Sequence, residues 1–573
     1  MENNEVAALL DEIGELLEIE GESSFRVGAY HRAAHVIRSL PQDINELDKE
    51  DKLTEIAGVG KGIADRLHEL LATGRMTYFE ELRSRVPESL AQLVHVPGLG
   101  PKKAKLVYDR LNIQTIDQLK KAVAAKKLRR LPGMGAKTED NIVRGIRQYE
   151  QQTARLLLSQ AVPAAEKIVK YLTPHKEVLA VDPAGSLRRW QETIGDIDIL
   201  CATDKPRTVA DIFCSNPDAA AVLAKGMSKC SILLKSGLQV DLRLMKPEQY
   251  GAALQYFTGS KAHNIHLREI AKKKGLRLSE YGVFDVKTDK MLAGATEEEV
   301  YELLGLEWID PVLRENRGEI EAAAAHRLPR LLGAKDIKGD LHAHTKASDG
   351  SSSLAEMAEF ALGLGYSYLA VSDHATNLKI AGGLEADEFK KQWAEIAKLN
   401  RRSKTFKLLR GVELNIDNDG RVDFPDQFLA RFDAVTASIH SGFTQDKALL
   451  TKRMLAAIAN PYIHVIGHPT ARILGRRAPY QVDLPAVFKA AAKHKTALEL
   501  NAFPDRLDLR DDYLIDAKKA GCKFAINTDA HHTGQLAYMR YGLATARRAW
   551  LEAGDVINAW PLNRLLAFLG KKS

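Results

Sequence analysis

The sixteen residues Gly185-Ser-Leu-Arg-Arg-Trp-Gln-Glu-Thr-Ile-Gly-Asp-Ile-Asp-Ile-Leu200 combine a Gly-Ser turn with two aspartates one residue apart in an apolar run. Because successive side chains of a strand alternate between its faces, Asp196 and Asp198 are expected on the same face. Asp241, between two apolar residues, is expected to join them from a neighbouring strand. Three carboxylates on one face are unfavourable unless cations lie among them. The stretch therefore predicts a centre for two divalent ions, which suits in-line displacement at phosphorus.

Upstream of the aspartates, Gly185 and Ser186 are expected at a strand-to-helix turn. The backbone N–H groups of such a turn can hold a triphosphate, with Arg189 supplying positive charge. The alternative is an alternating strand with aspartates on its solvent face. The Gly-Ser turn and the third aspartate together favour the metal centre.

Three copies of one glycine motif, apolar-x-Gly-apolar-Gly, precede helical stretches and begin at Ile56, Val96 and Leu131. Paired glycines let backbone N–H groups approach an anion at the positive end of a helix. One copy would indicate a plain turn, but three resemble the helix-hairpin-helix motif, which holds a DNA phosphate without reading bases. The expected DNA-binding residues are Gly58, Gly60, Lys61, Gly98, Gly100, Lys102, Gly133 and Gly135.

The composition of the 573 residues, 45% apolar and 27% charged, excludes disorder of the whole chain. Residues 1–100 carry ten Lys and Arg against nineteen Asp and Glu, whereas residues 101–150 carry thirteen against five. This swing favours a basic surface for a polyanion, although a solvated helix face is the ordinary alternative. An acidic N-terminus, four cysteines without a CxxC pair and no membrane-length apolar run predict a cytoplasmic protein without a membrane span.

From residue 337, apolar runs recur at intervals of 27 to 39 residues, and each run ends in a polar side chain. One strand and one helix fit each interval, so seven β/α units and an irregular barrel are expected. Chemistry in such barrels gathers at the carboxyl ends of the strands. The run ends are His342, His374, Glu413, His440, His468, Asn501 and Asp529.

Imidazole and carboxylate groups at or just after these run ends predict a metal cluster. For any single histidine, a core or surface role is the better interpretation, but nine candidates at matched positions favour metal binding. Ligands of this kind without thiolate suit Zn²⁺, Mn²⁺ or Fe²⁺. His464, His494 and His532 lie off the pattern and are expected to be structural or exposed. The expected ligands are His342, His344, Asp349, His374, Glu413, His440, His468, Asp529 and His531.

Residues 1–315 resemble family X DNA polymerases, through Gly185–Asp198, Val240–Arg243, Tyr256–Asn264, the three hairpins and Phe25–Ile37. The resemblance implies that the three aspartates are catalytic and bind two Mg²⁺ or Mn²⁺ ions. It also implies that Ser186 and Arg189 hold triphosphate and that Gly195 packs beside the site. Tyr256, Phe257 and Gly259 would form a sugar-facing turn, and Asn264 would contact the minor-groove edge. Carbonyls around Ile56, Val59, Val96 and Leu99 would hold K⁺ or Na⁺.

Two positions depart from this family pattern. Members with 5′-deoxyribose-phosphate lyase activity use a lysine nucleophile where this chain has Arg66. Arginine stays protonated and cannot form a Schiff base, so little lyase activity by that route is expected. In the animal member of the family, the residue that faces the edge of the incoming base is acidic, and the matching residue here is Lys261. The nucleotide affinity of that enzyme therefore cannot be inferred for this chain.

Residues 337–573 resemble the PHP family, the polymerase and histidinol phosphatase domain. The matching motifs are His342-x-His344, Ser372–His374, Gly411–Glu413, Ser438–His440, Gly467–Pro469 and Thr528–His531. The resemblance implies a trinuclear site that hydrolyses phosphoesters, and all nine ligand positions hold competent residues. We expect His342, His344 and Asp529 on one ion, and Asp349 and His374 on a second, with Glu413 between them. His440, His468 and His531 are expected on the third.

The sequence thus predicts a multidomain α/β chain: helical helix-hairpin-helix domains, a nucleotidyltransferase α/β palm and a PHP barrel of seven strands. The expected boundaries are 1–85, 86–155, 156–246 (palm), 247–315 (nucleotide-binding subdomain), 316–336 (linker) and 337–573. This order resembles bacterial and archaeal family X DNA polymerases.

The resemblance implies gap filling in DNA repair, with a Mn²⁺-preferring 3′→5′ exonuclease in the PHP half and abasic-site incision left open. The expected partners are gapped or primer-template DNA and dNTPs, for a nucleoid-associated monomer. The alternatives are a PHP half that only binds DNA or stabilises the fold, a small-molecule phosphatase with a nucleic-acid-binding arm, and a template-independent transferase.

Overall fold

The computed structural model describes residues 3–38, 40, 44–85, 93–94, 96, 98–153, 155–376 and 382–570. Its N-terminal part is helical, and one continuous apolar cluster runs from Val6 to Ile146. The apolar residues of the first helix recur with a 3.6-residue period, so one face packs against the second helix. The helices are α1 (Asn3–Glu20), α2 (Ser24–Arg38), α3 (Ile44–Lys49), α4 (Lys61–Thr73), α5 (Thr77–Arg85), α6 (Gly100–Leu111), α7 (Ile116–Ala124) and α8 (Ala136–Thr153).

The palm is a five-stranded sheet with the order β2-β4-β7-β6-β5, in which β4 and β7 are parallel and the other neighbours antiparallel. Its strands are β2 (Ala180–Pro183), β4 (Ile197–Ala202), β5 (Ala219–Lys225), β6 (Lys229–Leu234) and β7 (Gln239–Met245). A separate pair is formed by β1 (Leu156–Leu157) and β3 (Thr193–Ile194). The helices are α9 (Leu158–Leu172), α10 (Gly185–Arg188) and α11 (Pro206–Cys214).

The next subdomain, residues 250–324, is called the thumb below. It combines helices with a three-stranded antiparallel sheet. The segment expected as a linker is folded, because Ile320 and Ala323 are buried in the thumb cluster and Leu332 in the barrel core. The elements are α12 (Tyr250–Thr258), α13 (Lys261–Lys273), β8 (Leu276–Ser279), β9 (Gly282–Asp285), β10 (Met291–Ala293), α14 (Glu297–Leu303) and α15 (Glu319–Ala324).

The C-terminal region contains seven parallel strands in sequential order, which confirms the predicted seven-stranded barrel. A bridge between Ala343 and Ala530, just beyond the first and last strands, brings its two edges together. The strands are β11 (Gly339–Asp340), β12 (Tyr368–Val371), β13 (Lys407–Asn415), β14 (Ala434–Ser438), β15 (Val465–Ile466), β16 (Ala497–Asn501) and β17 (Phe524–Asn527). The helices are α16 (Leu354–Gly363), α17 (Ala386–Asn400), α18 (Asp426–Leu429), α19 (Lys447–Ala459), α20 (Leu484–His494), α21 (Asp511–Lys519), α22 (Met539–Arg548) and α23 (Leu562–Leu569).

The barrel packs directly against the palm. Leu507 and Tyr541 of the barrel are buried within the apolar cluster that forms the palm core. Burying apolar side chains of two regions in one cluster holds the regions together. Within the described part of the chain, no helix has the length and apolar character that a membrane crossing requires.

Candidate active sites

The palm brings its three aspartates together near the amino ends of the neighbouring parallel strands β4 and β7. Asp198 on β4 lies in register with Asp241 on β7, and Asp196 directly precedes β4. One carboxylate oxygen from each residue lies within 4.8 Å of the other two. Asp241 is buried, whereas Asp196 is exposed, so the cluster opens to solvent on one side. A divalent cation fits this set, because carboxylate oxygens are the preferred ligands of Mg²⁺ and Mn²⁺.

The charge balance of this cluster is uneven. Burial and the neighbouring carboxylate of Asp196 raise the pKa of Asp198 to about 6. Burial also acts to raise the pKa of Asp241, but hydrogen bonds from Lys229, Ser231 and Gln239 outweigh it and lower that pKa. The Nζ of Lys229 lies 2.7 Å from Oδ2 of Asp241. The Lys229 ammonium thus compensates part of the negative charge of the three carboxylates.

The Gly-Ser turn lies against the same cluster. Gly185 has φ +62°, and a Cβ added there would lie 2.8 Å from Oδ2 of Asp198. Ser186 follows in α10. Only glycine allows this close approach in a left-handed conformation. Gly195 is exposed, and its nearest neighbour is Arg155, 3.6 Å from the position of an added Cβ.

Arg189 points toward the thumb. Its Nε lies 3.0 Å from Oε1 of Glu315, and its Nη1 donates to the carbonyl of Thr258. Arg188 likewise pairs with Glu297 at 2.7 Å, and Glu297 also accepts from the buried Arg314 at 2.6 Å. Both arginines of the doublet therefore join palm to thumb in this conformation. Glu297 and Glu315 were not predicted from the sequence, where Arg189 was expected to contact only triphosphate.

The residues expected to face the sugar lie in the last turn of α12 and, for Gly259, directly after it. The rings of Tyr256 and Phe257 meet edge to face at 5.2 Å, and the Arg243 guanidinium lies 4.2 Å from the Phe257 ring. Gly259 has φ +67°. Asn264 is buried, with its amide bonded to Gln255 and to the carbonyl of Tyr256. To contact a DNA base edge, Asn264 would have to exchange these partners.

The three glycine hairpins share one local geometry. In each, an N–H donates to the carbonyl three residues earlier, from Val59 to Ile56, Leu99 to Val96 and Met134 to Leu131. A helix begins at or directly after the second glycine of each motif. The side chain of Lys102 lies outside the described part of the structure. The first glycines are in the left-handed region, with φ +81° at Gly58, +89° at Gly98 and +73° at Gly133.

Gly60, Gly100, Gly133 and Gly135 have open space where a side chain would stand. A backbone phosphate can approach such N–H groups closely.

At the position of the lyase nucleophile, Arg66 is held between two tyrosines. Its guanidinium carbon lies 3.5 Å from the ring of Tyr78, and its Nη1 donates to the hydroxyl of Tyr30. The two tyrosine rings stack at 6.2 Å. These contacts engage the guanidinium in cation–π and hydrogen-bond interactions.

The barrel places the nine predicted ligands at the carboxyl ends of its strands. Atoms of eight of them fall into three overlapping groups, and the ninth, His468, lies with its Nε2 3.1 Å from Oε1 of Glu413. His531 belongs with Asp349, its Nε2 lying 3.4 Å from Oδ2 of Asp349. We expected His531 to share an ion with His440 and His468, but the structure groups it with Asp349 instead. The reason is that closure of the barrel places β17, which precedes His531, beside β11. The groups are His344, Asp349, His374 and His531; His342, His344 and Asp529; and His374, Glu413 and His440.

Glu413 lies at the centre of this cluster. Its Oε2 lies 3.0 Å from Nδ1 of His374 and 3.4 Å from Nε2 of His342. Its Oε1 lies 3.2 Å from Nε2 of His440 and 3.1 Å from Nε2 of His468. Burial acts to raise the pKa of Glu413, but the surrounding imidazoles hold it well below its usual value. With Nε2 of His344 at 3.7 Å from Oε2, one ionised carboxylate thus faces five imidazoles.

Several imidazole nitrogens of the cluster make no ordinary hydrogen bond to another described residue. Buried polar atoms are normally paired, so such a set needs an explanation. A set of divalent ions among these nitrogens and the carboxylates of Asp349, Glu413 and Asp529 fits both the burial and the donor chemistry. The atoms are Nε2 of His342, both ring nitrogens of His344, and Nδ1 of His374, His440 and His468.

Behind the cluster, Glu499 on β16 orients its ligands. It accepts from Nδ1 of His342 at 2.7 Å and from the backbone N of His468 at 2.6 Å. Asn527 donates to it at 2.9 Å. This contact turns Nε2 of His342 toward the cluster, the usual role of a carboxylate behind a metal-binding histidine. Sequence analysis missed Glu499; its only sign is an acidic residue inside an apolar run.

Four protein families match separate parts of the chain. They are a helix-hairpin-helix domain at residues 1–76, a SAM-like helix-hairpin-helix tandem at 90–148, a DNA polymerase beta thumb at 253–315 and a PHP domain at 340–503. The helix-hairpin-helix, thumb and PHP matches follow one another along the chain and flank the palm.

Relatives match either the whole chain or one half. The DNA polymerase/3′-5′ exonuclease PolX of Bacillus subtilis is 39% identical over 571 residues, which are 99% of each chain. A probable phosphatase of Caldanaerobacter subterraneus is 30% identical over 203 residues, 34% of this chain and 75% of the relative. DNA polymerase lambda of Rattus norvegicus is 22% identical over 343 residues, 55% of this chain and 56% of the relative.

Proposed function

The chain belongs to the family X DNA polymerases that carry a C-terminal PHP domain, and we propose that it fills short gaps in damaged DNA and trims 3′ ends at a second centre. It is a DNA polymerase and 3′-5′ exonuclease that depends on divalent metal. The observation that carries the proposal is the presence of two separate ligand clusters, one acidic in the palm and one imidazole-rich in the barrel.

For nucleotide addition, Asp196, Asp198 and Asp241 would hold two Mg²⁺ or Mn²⁺ ions, with Asp241 acting at the primer 3′ hydroxyl. Ions so held can neutralise the charge of a triphosphate and of the oxygens that attack and leave. Gly185 allows the Ser186 turn to lie beside the carboxylates, where its N–H groups would hold the triphosphate. Tyr256 and Phe257 would face the sugar.

For hydrolysis at a 3′ end, the nine barrel residues would hold up to three ions, with Mn²⁺ preferred over Zn²⁺ or Fe²⁺. Such ions supply a nucleophile near neutral pH and polarise the phosphoryl oxygens. Glu413 would lie between ions, and Glu499 would fix the orientation of His342. All nine positions carry residues able to bind metal, and eight of them fall into the three groups while His468 contacts Glu413. This favours hydrolysis over a barrel that only stabilises the fold.

DNA would be held through the three glycine hairpins, with K⁺ or Na⁺ at their carbonyls. The substrate would be gapped or primer-template DNA, bound by a monomer in the nucleoid of the cytoplasm. Because Arg66 cannot form a Schiff base, lyase chemistry by that route would be weak. Borohydride trapping on incised abasic DNA should capture little covalent adduct, and efficient capture would contradict this expectation.

Primer extension and degradation on one-nucleotide-gapped DNA, with Mg²⁺ and Mn²⁺ supplied separately, test the whole proposal. We expect dNTP-dependent extension with either ion and 3′ shortening mainly with Mn²⁺. Gapped DNA should be extended in preference to single-stranded primer, and the reverse would indicate a template-independent transferase. Metal analysis of the full chain that found no transition metal, together with no shortening of the 3′ end, would make the barrel a structural module.

A further inference from the structure

The palm segment 189–192, called the connecting loop below, is contacted along its length by the barrel. Nη1 of Arg548 donates to the carbonyl of Arg189 at 2.7 Å. The ring of Tyr541 lies 6.3 Å from that of Trp190. The connecting loop joins α10, which contains Ser186, to the strand that precedes Asp196. The barrel therefore contacts the segment between the two parts of the nucleotidyl-transfer site.

The third contact is an ion pair between Arg472 of the barrel and Glu192 of the connecting loop. Nη2 of Arg472 lies 2.7 Å from Oε2 of Glu192. The same guanidinium donates from Nε to the carbonyl of Arg506 at 2.8 Å and from Nη2 to the carbonyl of Leu507. The Arg472 side chain is only 5% exposed. A buried arginine needs such partners, and its planar fork fixes their relative positions.

On the palm side, only a short strand and one further residue separate Glu192 from Asp196 in the sequence. Its carbonyl accepts from the N–H of Leu158 at 3.2 Å. The following residues Thr193–Ile194 form β3, which Arg155 holds through a 2.9 Å bond to Oγ1 of Thr193. Asp196 comes two residues after β3. A shift at Glu192 would therefore be carried along a short, paired strand to Asp196.

We propose that Arg472 is a positioning residue for nucleotidyl transfer. By fixing Glu192, it holds the connecting loop so that Ser186 and Asp196 keep the spacing that the reaction needs. The barrel then supplies part of the framework of the polymerase centre, separately from its own hydrolysis of phosphodiesters. The inference rests on the proposed polymerase function. The proposal explains why a mostly buried ion pair lies at the interface between palm and barrel. Its palm member, Glu192, is in the segment that connects Ser186 to Asp196.

The variant Glu192→Ala tests the proposal from the palm side, where no barrel ligand is touched. We expect kcat/KM for dNTP on gapped DNA to fall about tenfold or more, the range seen when residues behind metal ligands are removed. The Mg²⁺ concentration for half-maximal extension should rise, because Asp196 is displaced. Exonuclease rate on single-stranded DNA should stay within about twofold, since Glu192 belongs to the palm and its ion pair is with Arg472, which is not one of the nine barrel ligands.

Two further variants separate positioning from simple stabilisation. Glu192→Gln keeps a hydrogen-bond acceptor and should restore most of the activity. The matched control is Glu166→Ala, which breaks another palm–barrel ion pair from the palm side, Arg540 to Glu166 at 3.2 Å. Glu166 lies on α9, not on the connecting loop. This control should leave extension and its Mg²⁺ dependence unchanged. In the double variant Glu192→Ala/Arg472→Ala, extension should be no slower than in Arg472→Ala alone, as expected for partners in one interaction.

A lower unfolding temperature for Glu192→Ala with unchanged kcat/KM and Mg²⁺ midpoint would overturn the proposal and leave the pair as a structural contact. Equal losses in Glu192→Ala and Glu166→Ala would also overturn it, because any interface contact would then do the same. If the wild-type chain extends no primer, the proposed polymerase function fails by itself. That result would be seen before any variant is compared.

Discussion

The palm and barrel clusters differ in how much of each metal environment the chain itself supplies. The palm offers three carboxylates in a cluster that is open to solvent on one side, with Asp196 exposed and Asp241 paired to Lys229. The barrel offers nine ligands at the ends of parallel strands, most of them buried, with Glu413 at the centre and Glu499 behind His342. One cluster is open and incomplete, and the other is enclosed.

This difference indicates when each cluster binds its ions. Mg²⁺ sites commonly combine one or two carboxylates with substrate phosphates and water, so the palm set is completed by the incoming triphosphate. The barrel ligands are mostly buried, and His342 is oriented from behind by Glu499, so they need no substrate to keep their orientation. The barrel should therefore retain metal without DNA or nucleotide, whereas the palm should bind its ions together with dNTP.

The largest expected effect separates the two centres. Asp198→Ala should reduce nucleotide addition by about a thousandfold or more, since loss of a metal ligand removes several kcal/mol of transition-state stabilisation. It should spare 3′ shortening, and His440→Ala should show the opposite pattern. Primer extension and degradation on the same gapped DNA measure both. Loss of both activities in either variant, with the fold intact by circular dichroism, would contradict two independent centres.

The second largest effect tests the close approach of Gly185 to Asp198 in the palm cluster. Gly185→Ala places a methyl group 2.8 Å from Oδ2 of Asp198 at a φ of +62°, so Asp198 must move. A displacement of about 1 Å can cost about a hundredfold in rate, and we expect that loss in nucleotide addition. Gly237→Ala is the matched control, with φ +82° but open space around it. Equal losses in both variants would show that backbone strain, not contact with Asp198, is responsible.

A third effect tests whether the barrel cluster is held from behind. Glu499→Gln leaves all nine ligands in place but weakens the bond to Nδ1 of His342. Changes at this kind of position reduce metal affinity or activity by about 10- to 100-fold. Titration of the metal-free chain with Mn²⁺, followed through exonuclease rate, measures it. Nucleotide addition is the internal control, and unchanged Mn²⁺ affinity would remove Glu499 from the site.

The smallest effect is on stability. Removing metal with a chelator should destabilise the barrel by about 3 kcal/mol, the value for a ligand present at about a hundred times its dissociation constant. The palm should be unaffected without nucleotide. Hydrogen exchange separates the regions, because β13 and β14 should lose protection while β4 and β7 keep theirs. Equal loss in both regions would show that the palm also retains metal by itself.

Much of both sites could be predicted, because local patterns place the ligands. Asp196 and Asp198 are two residues apart in the sequence, which predicts that they lie on the same face of a strand. The regular intervals between the barrel run ends predict that those side chains meet at the carboxyl ends of the strands. Partners distant in sequence could not be predicted. Glu499 is 157 residues from His342, and Glu192 is 280 residues from Arg472. No periodicity relates such pairs.

The sequence alone determined the order of domains, the seven-stranded barrel and the identity of the candidate ligands, because these follow from local periodicity and from side-chain chemistry. The tertiary structure decided how His531 groups with Asp349, how Arg189 turns to Glu315 in the thumb, and how Arg472 reaches the connecting loop. These contacts depend on which strands close the barrel and on how the barrel packs on the palm. Such packing minimises unpaired buried charge across the whole chain, which no single stretch of sequence encodes.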